Sequence, residues 1–159
     1  MTTDDLIGFV QTAIKQLYIK DKDLITRDLC ERCLVHRLAF YLQLLLPDFY
    51  VDCEFNKSFI GERTGSKKLS NTINGNYVDI LVHKRSNNLG ENLLCFEIKK
   101  GKNYTDRDKD RKNLEILTSS DRFAYVLGFY VILGRAYERT KLELYSNGNF
   151  FKEIQLATR

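Results

Sequence analysis

Apolar residues recur along this chain with two periods, one typical of helices and one typical of strands. Helical spacing extends over residues 4–20 and again over about 27–46, where Pro47 ends the second helix. Residues 49–57 alternate between apolar and polar positions, which predicts a strand. The polar segment 58–76, rich in Gly, Ser, Asn and Lys, predicts a long loop.

Two apolar segments near the middle of the chain predict a pair of charged strands. Residues 77–83 and 93–99 are rich in β-branched and large apolar side chains and are bounded by Asn, Gly and Ser. Because side chains alternate between the two faces of a strand, Glu97 and Lys99 share one face. Pairing of the two strands as a hairpin would bring Asp79 to the same side of the sheet.

The C-terminal third of the chain predicts one more helix and three strands. Thr105 or Asp106 can cap a helix that runs to about Ser119. Residues 123–133 are apolar on both faces, as in a buried strand, and residues 141–156 have the pattern of a closing hairpin with an Asn-Gly turn. The succession of elements predicts an α/β fold, an α+β arrangement built on one mixed sheet.

The composition is that of an ordinary globular protein. The 159 residues suit a single domain spanning 1–159, and 43% hydrophobic with 29% charged residues is typical of a soluble chain. No apolar run is long enough to span a bilayer, so we expect no membrane partner. The acidic N-terminus lacks the basic and apolar regions of a secretory signal, which predicts a cytoplasmic protein with reduced thiols.

Positive charge is concentrated in one segment. The chain has a formal net charge of +4, and residues 99–112 hold seven basic against three acidic side chains, which is the whole excess. A solvated helix face is one interpretation, and a nucleic-acid partner is the other. The predicted contacts to a phosphate backbone are Lys67, Lys68, Lys102, Arg107 and Lys112.

Glu31 belongs to the apolar stripe of the second helix. It lies three residues before Leu34 and seven before Leu38, so it points toward the core. An ion pair with Arg27 or Arg37 is one interpretation of this position. The other is that Glu31 projects toward the sheet and joins the charged strands.

The carboxylates of Asp79 and Glu97 need a counter-charge if their strands are buried. Burying even a neutral polar group without a partner costs roughly 2–7 kcal/mol, so buried charges are paired or bind a cation. One interpretation is an internal ion pair with Lys99. The other is a site that hydrolyses phosphodiesters, in which the carboxylates hold Mg²⁺, with Mn²⁺ as a substitute. Lys99 would then orient the attacking water and stabilise developing charge.

The charged residues and the predicted elements follow one another in a distinctive order. A helix with Glu31 is followed by a strand, a strand with Asp79, a strand with Glu97-Ile98-Lys99, a helix and a strand. This αβββαβ order resembles the PD-(D/E)XK nuclease superfamily, including bacterial members with a helix glutamate and a Glu-Ile-Lys strand. The resemblance covers about 27–133 and leaves the first helix and last hairpin as additions. One departure is Val78, which stands where the signature has proline.

The resemblance implies a restriction-endonuclease-like fold and a metal-dependent nuclease, with DNA favoured over RNA, in mobile-element, repair or defence biology. It implies that Asp79, Glu97 and the backbone carbonyl of Ile98 bind Mg²⁺. Glu31 would bind through water or hold a second ion, and Lys99 completes the implied catalytic set. Cleavage of both DNA strands would favour a homodimer. The competing hypothesis is a catalytically silent nucleic-acid-binding or assembly subunit with the same fold.

Two further features have side chains that bind protons or metals. His83 lies on the charged face of its strand and is predicted to contact substrate, packing being the alternative. Cys30, Cys33 and His36 have a spacing seen among zinc ligands, with Cys53 as the nearby fourth candidate. Buried core thiols are the other interpretation, and the missing fourth ligand favours it.

Overall fold

The structure, a computed structural model, describes residues 1–55, 57–60, 63–66, 77–86 and 88–157. Its helices are α1 (Thr3–Lys20), α2 (Lys22–Thr26), α3 (Glu31–Leu45) and α4 (Arg107–Thr118). Its strands are β1 (Tyr50–Phe55), β2 (Lys57–Ile60), β3 (Arg63–Ser66), β4 (Val78–His83), β5 (Asn92–Lys100), β6 (Leu127–Leu133), β7 (Lys141–Ser146) and β8 (Asn149–Gln155).

Six strands form one mixed sheet, which confirms the predicted α/β class. The strand order is β1-β4-β5-β6-β7-β8. Strands β5 and β6 run parallel, whereas the other neighbouring pairs of this sheet are antiparallel. A parallel pair needs a crossover connection, and α4 lies in the one between β5 and β6. The predicted hairpins β4–β5 and β7–β8 are both present.

Helices cover both faces of this sheet. α1 and α3 pack together over the face that contains Ile80 and Phe96, and α4 covers the opposite face, which contains Leu81 and Cys95. All four of these strand side chains are fully buried. Because successive strand residues point to opposite faces, a charged residue beside Ile80 or Phe96 points toward α4.

Local hydrogen bonds and backbone angles set the helix ends. At the start of α1, Thr2 Oγ1 accepts a hydrogen bond from Asp5 N at 3.2 Å, and Asp5 Oδ2 accepts one from Thr2 N at 2.7 Å. α3 ends just before Pro47, as predicted. Its predicted start at residue 27 is wrong, because Cys30 is extended, with φ −60° and ψ 148°, and the helix begins at Glu31.

Two segments contain elements that their polar composition does not indicate. The break after α1 holds the short helix α2, which separates α1 from α3. The predicted loop 58–76 contains most of β2 and all of β3, which pair as a separate two-stranded sheet. The loop prediction is therefore wrong for these residues. Lys67 and Lys68 lie outside the described residues.

The strand β6 begins at Leu127 and not at residue 123. Tyr125 N donates a hydrogen bond to the Leu117 carbonyl at 3.0 Å, which folds the preceding segment back onto the end of α4. Ala124 has φ 51°, a left-handed conformation that interrupts extended backbone. The predicted strand 123–133 is therefore apolar for two reasons. Its first residues pack against the end of α4, and the rest form the buried strand β6.

None of the helices in the described part of the chain is both long enough and apolar enough to cross a bilayer. α1, with 18 residues, buries only one of its faces. The cytoplasmic location and the homodimer stay predictions.

Two glycines offer a matched test of this packing. A Cβ at Gly134 would lie 2.4 Å from the carbonyl oxygen of Arg139, whereas a Cβ at Gly8, within α1, would meet nothing within 4 Å. We expect Gly134→Ala to lower the free energy of unfolding by about 1–3 kcal/mol. Gly8→Ala is expected to raise it by roughly 0.5–1 kcal/mol, because alanine restricts the unfolded chain. Urea unfolding measures both values, and equal effects would contradict the described turn after β6.

Candidate active site

Asp79 and Glu97 are brought together by the pairing of β4 with β5. Ile80 pairs with Phe96 in this antiparallel hairpin, so the next residues outward, Asp79 and Glu97, lie side by side on the face that α4 covers. Asp79 Oδ2 accepts a hydrogen bond from Ile98 N at 2.7 Å. Glu97 is only 3% exposed. The predicted meeting of the two strand carboxylates is therefore present.

α4 contributes two buried polar side chains to the same place. Asn113 Nδ2 donates a hydrogen bond to Glu97 Oε1 at 2.9 Å, and Asp110 Oδ2 lies 3.3 Å from Lys99 Nζ. Neither Asp110 nor Asn113 belongs to the predicted set. The available signal is their spacing, since they precede Leu117 by seven and four residues and so share its buried stripe.

Lys99 and Glu31 connect the end of β5 with α3. Lys99 Nζ is 3.5 Å from Glu31 Oε1. Glu31 Oε2 accepts hydrogen bonds from Lys100 N at 3.0 Å and from Asn103 Nδ2 at 3.3 Å. These bonds hold the first turn of α3 against the end of β5. The structure thus assembles a carboxylate cluster, by which we mean Glu31, Asp79, Glu97 and Asp110 around Lys99.

Burial raises the pKa of both strand carboxyl groups. It is the main reason that the pKa of Asp79 is raised to about 6. Repulsion from Glu31 adds to this shift, whereas the positive charge of Lys99 opposes it. Burial also raises the pKa of Glu97 well above its ordinary value, and the charge of Asp79 adds to that shift. Both groups are therefore held in a site that disfavours their charged forms.

The carboxylate cluster contains more negative charge than Lys99 can balance. Burial lowers the pKa of Lys99, but the attraction of Asp110, Glu31 and Asp79 together raises it above its ordinary value. The ammonium group therefore stays charged at neutral pH, next to four carboxyl groups. The remaining negative charge can be neutralised by protons on Asp79 and Glu97, whose pKa values are raised, or by a bound cation.

Asp79 and Glu97 each have one oxygen available to a cation. Asp79 Oδ2 accepts from Ile98 N and Glu97 Oε1 accepts from Asn113, while Oδ1 and Oε2 have no hydrogen bond to a described residue. The N–H and C=O of a strand residue point the same way, so the Ile98 carbonyl is on the Asp79 side. Among the described residues, no three Asp, Glu, His or Cys side chains form a metal-binding group. Mg²⁺ needs only one or two carboxylates plus waters, and the donor types fit it.

Two buried polar atoms at this site lack a hydrogen bond. In the described part of the chain they are Asp110 Oδ2 and Tyr130 Oη. Asp110 Oδ2 has only its ion pair with Lys99, and Tyr130 pairs with Glu97 across β5 and β6. Burial and the charge of Asp110 raise the pKa of Tyr130. Unmet buried polar atoms are costly, so this corner suits a water molecule or the hydration shell of an ion.

His83 lies outside the carboxylate cluster. It is four residues from Asp79 along β4, and its buried Nε2 lies 2.9 Å from Asp52 Oδ2. Arg85 Nε donates a hydrogen bond to the same Asp52 oxygen at 2.8 Å. The ring is thus held between β1 and β4, and contact with substrate stays a prediction.

The predicted phosphate-binding residues differ in what they contact. Arg107 Nε donates to the Asn103 carbonyl at 2.8 Å, and Nη2 donates to the Gly101 carbonyl at 3.1 Å. Arg107 therefore holds the loop that positions Asn103 beside the carboxylate cluster. Lys102 and Lys112 are exposed, and their role in binding nucleic acid stays a prediction.

The cysteine motif at the start of α3 has no third metal ligand among the described residues. Cys30 Sγ lies 3.0 Å from Cys33 Sγ, and no disulfide joins any of the four cysteines. Cys30 is exposed and Cys33 is only partly buried, so the prediction that the motif consists of buried core thiols is wrong.

Comparison with protein-family models, with curated proteins and with solved structures gives no significant match. The chemistry of the site is therefore inferred from the residues of this chain alone.

The raised pKa of Asp79 predicts how stability depends on pH without metal. The folded state binds the Asp79 proton more tightly than the unfolded state, so stability falls as pH rises from about 4 to about 6. Asp79→Asn removes this loss. We expect the free energy of unfolding of the variant to exceed that of wild type by up to about 3 kcal/mol at pH 7. Urea unfolding in EDTA measures this difference. The control is Asp48→Asn, which changes an exposed carboxyl group. If the difference in unfolding free energy between Asp79→Asn and wild type did not change with pH, the raised pKa of a buried Asp79 would be contradicted.

Proposed function

We propose that this protein is a metal-dependent nuclease that hydrolyses phosphodiester bonds, with DNA favoured over RNA. The observation that carries the proposal is the carboxylate cluster, in which Glu31 and Asp110 hold the ammonium group of Lys99 beside the buried Asp79 and Glu97. Such a site attracts a divalent cation and, through that cation and the lysine, a phosphodiester. The excess of basic residues in 99–112 supports a nucleic-acid substrate.

Asp79, Glu97 and the Ile98 carbonyl are the groups that would hold Mg²⁺ or Mn²⁺, with Glu31 acting through water or a second ion. When bound, the ion supplies a nucleophilic water at neutral pH and neutralises charge on the phosphoryl oxygens. The chain keeps the ligands oriented, because Ile98 N fixes Asp79 and Asn113 fixes Glu97. Asn113 is therefore a positioning residue.

Lys99 is the proposed catalytic cation. Its ammonium group is held by Asp110 from α4 and Glu31 from α3, so it is directed into the carboxylate cluster. There it would donate hydrogen bonds to the attacking water and to a non-bridging phosphoryl oxygen, where negative charge develops in the transition state. Asp110 positions Lys99 and keeps it protonated.

The sheet supports the PD-(D/E)XK resemblance and a restriction-endonuclease-like topology. The order α3, β1, β4, β5, α4, β6 follows the expected αβββαβ core, with β1, β4 and β5 antiparallel and β6 parallel to β5. Asp79 and Glu97-Ile98-Lys99 lie at the expected places on neighbouring strands. Val78, in the place of the signature proline, is buried and leaves Asp79 in position.

A catalytically silent binding subunit is the second candidate function. The observation that favours it is the pair of contacts from Lys99 to Asp110 and Glu31, which is also what a purely structural ion network would contain. The two functions differ in whether Asp79 and Lys99 are needed for turnover.

Substitution of the cluster tests the nuclease proposal. We expect plasmid and oligonucleotide DNA to be cleaved with Mg²⁺ or Mn²⁺ and not in EDTA. Asp79→Ala and Lys99→Ala are expected to reduce the cleavage rate at least about 100-fold, because each removes a group that stabilises the transition state. The matched control is Lys84→Ala, which removes an exposed lysine beyond the other end of β4.

Circular dichroism and urea unfolding should show that each variant keeps the fold. Activity that is equal in wild type and both variants would contradict the nuclease, and so would a protein that cleaves no DNA or RNA with either metal. Binding of nucleic acid without cleavage would support the silent subunit.

A further inference from the structure

A cavity of about 760 Å³ opens beside the carboxylate cluster. It lies among α2, the first turn of α3 and the segments that follow β5 and β6. Its apolar lining comes from Leu24, Ile25, Leu34 and Leu133. The volume falls within the range of pockets that hold small ligands. An apolar cavity of this size next to a hydrolytic site is suited to part of a substrate.

Cationic side chains surround the apolar lining. Lys102, Arg135 and Arg139 line the cavity and are exposed, and their side chains have no hydrogen bond or ion pair to a described residue. Lys100 also lines it, but its ammonium group is paired with Asp28. Four basic side chains and two carboxylates, those of Asp28 and Glu31, line the cavity, so its lining has an excess of positive charge. A positively charged rim around an apolar lining matches a ligand that combines a flat apolar ring with phosphates.

Glu31 belongs both to the cavity and to the carboxylate cluster. Its carboxylate is fixed by Lys100 N and Asn103, so the two sites share one wall. A strand whose phosphate lies at Asp79 and Glu97 would therefore place a neighbouring nucleotide at this cavity. In such a complex Asp79 and Glu97 would hold the metal ion, and the cationic side chains of the cavity would face the neighbouring phosphates.

We propose that the cavity binds an unpaired nucleotide of the DNA strand next to the phosphate to be cleaved. This inference rests on the proposed nuclease function and adds a substrate class to it. In a duplex the faces of each base are stacked against neighbouring base pairs, so only an unpaired base can offer its faces to Leu24 and Ile25, which are partly exposed. Single strands, flaps and junctions are therefore the preferred substrates.

Binding measured without metal tests the cavity separately from cleavage. Fluorescence anisotropy in EDTA compares a labelled single strand, the same strand in a duplex, and an abasic strand of equal length. The proteins are wild type, Arg135→Ala/Arg139→Ala, and the control Lys84→Ala/Arg122→Ala, which removes two exposed cations from the opposite end of β4, β5 and β6.

The expected results follow from the two parts of the cavity. Wild type binds the normal strand roughly tenfold more tightly than the abasic strand, because a base fills the apolar lining. A plot of the logarithm of the binding constant against the logarithm of salt concentration has a slope that reports phosphate contacts. For single-strand binding, we expect the cavity variant Arg135→Ala/Arg139→Ala to reduce the magnitude of this slope by about 1.4, at about 0.7 for each lost phosphate contact. The control variant leaves that slope unchanged, and all three proteins bind the duplex more weakly than the single strand.

Three results would overturn the inference: equal binding of normal and abasic strands, equal binding of strand and duplex by wild type, or equal slopes for the cavity and control variants. Metal-dependent cleavage without strand preference would overturn the cavity assignment and leave the nuclease intact. Strand-selective binding without cleavage would support the cavity and contradict the nuclease.

A separate observation concerns Cys30 and Cys33, on either side of Glu31. Their sulfur atoms are 3.0 Å apart, about 1 Å longer than a disulfide bond. Cys30 is exposed and extended, at the N-terminal boundary of α3. Both thiols are thus in position to react with each other without moving β1 or the sheet.

The geometry points to a reversible disulfide between Cys30 and Cys33, formed by exchange with a low-molecular-weight disulfide. The Cys30 thiolate attacks one sulfur of that reagent, and a thiolate leaves as a mixed disulfide forms. The Cys33 thiolate then attacks Cys30 Sγ and releases the second thiolate. The two protons of the cysteines pass to the two leaving groups, so two reagent thiols are produced.

Mass spectrometry after oxidised glutathione tests this pair in the full chain. We expect wild type to lose two hydrogens with Cys30 and Cys33 linked, and dithiothreitol to reverse the change. Cys33→Ser should stop at a glutathione adduct on Cys30, whereas Cys53→Ser should behave as wild type. A stable glutathione adduct on wild-type Cys30, or a link that requires Cys53, would overturn the assignment.

Discussion

The antiparallel pairing of β4 with β5 is the constraint on which the site depends. It places the carboxylates of Asp79 and Glu97 side by side inside the protein, where burial raises the pKa of both. Nearby polar groups stabilise the charged forms of these carboxyl groups. Ile98 N donates a hydrogen bond to Asp79, Asn113 donates one to Glu97, and Lys99 supplies a positive charge. These contacts offset only part of the negative charge that the site carries when its carboxyl groups are ionised, which is the basis for the proposed cation.

Two other parts of the chain complete the site from outside the sheet. The extended conformation of Cys30 starts α3 at Glu31, whose carboxylate then reaches the end of β5. Arg107 binds the carbonyls of the loop after β5 and so holds Asn103 against Glu31. The same loop forms part of the cationic cavity. The negative and positive regions are therefore neighbours, an arrangement that suits a metal ion on one side and a phosphate chain on the other.

Much of the central fold was predictable from short-range periodicity. The alternation in β4 and β5 predicts both strands and the common face of Glu97 and Lys99, because the direction of a strand side chain depends only on its place in the alternation. The predicted hairpin pairing adds Asp79 to that face. The roles of Asp110 and Asn113 were not predictable in this way. The first half of α4 is so rich in charge that its buried face is visible only once its packing on the sheet is known.

Other differences have similar causes. The start of α3 depends on backbone angles at Cys30, and the late start of β6 depends on hydrogen bonds to the end of α4. His83 shares the strand face of Asp79, but Asp52 on the neighbouring strand binds its ring at the far end. The contact of His83 is decided by a residue on another strand, and the two element boundaries are decided by backbone conformation and hydrogen bonds. The pattern of apolar and polar side chains specifies neither.

The proposed nuclease depends on the binding of a divalent cation by the carboxylate cluster. Crystals grown with Mn²⁺ and measured at an energy where manganese scatters anomalously test it directly. We expect an anomalous peak between Asp79 and Glu97, close to the Ile98 carbonyl, and no such peak in Asp79→Asn crystals. Wild-type crystals without a peak at millimolar Mn²⁺, with Lys99 still paired to Asp110 and Glu31, would contradict it.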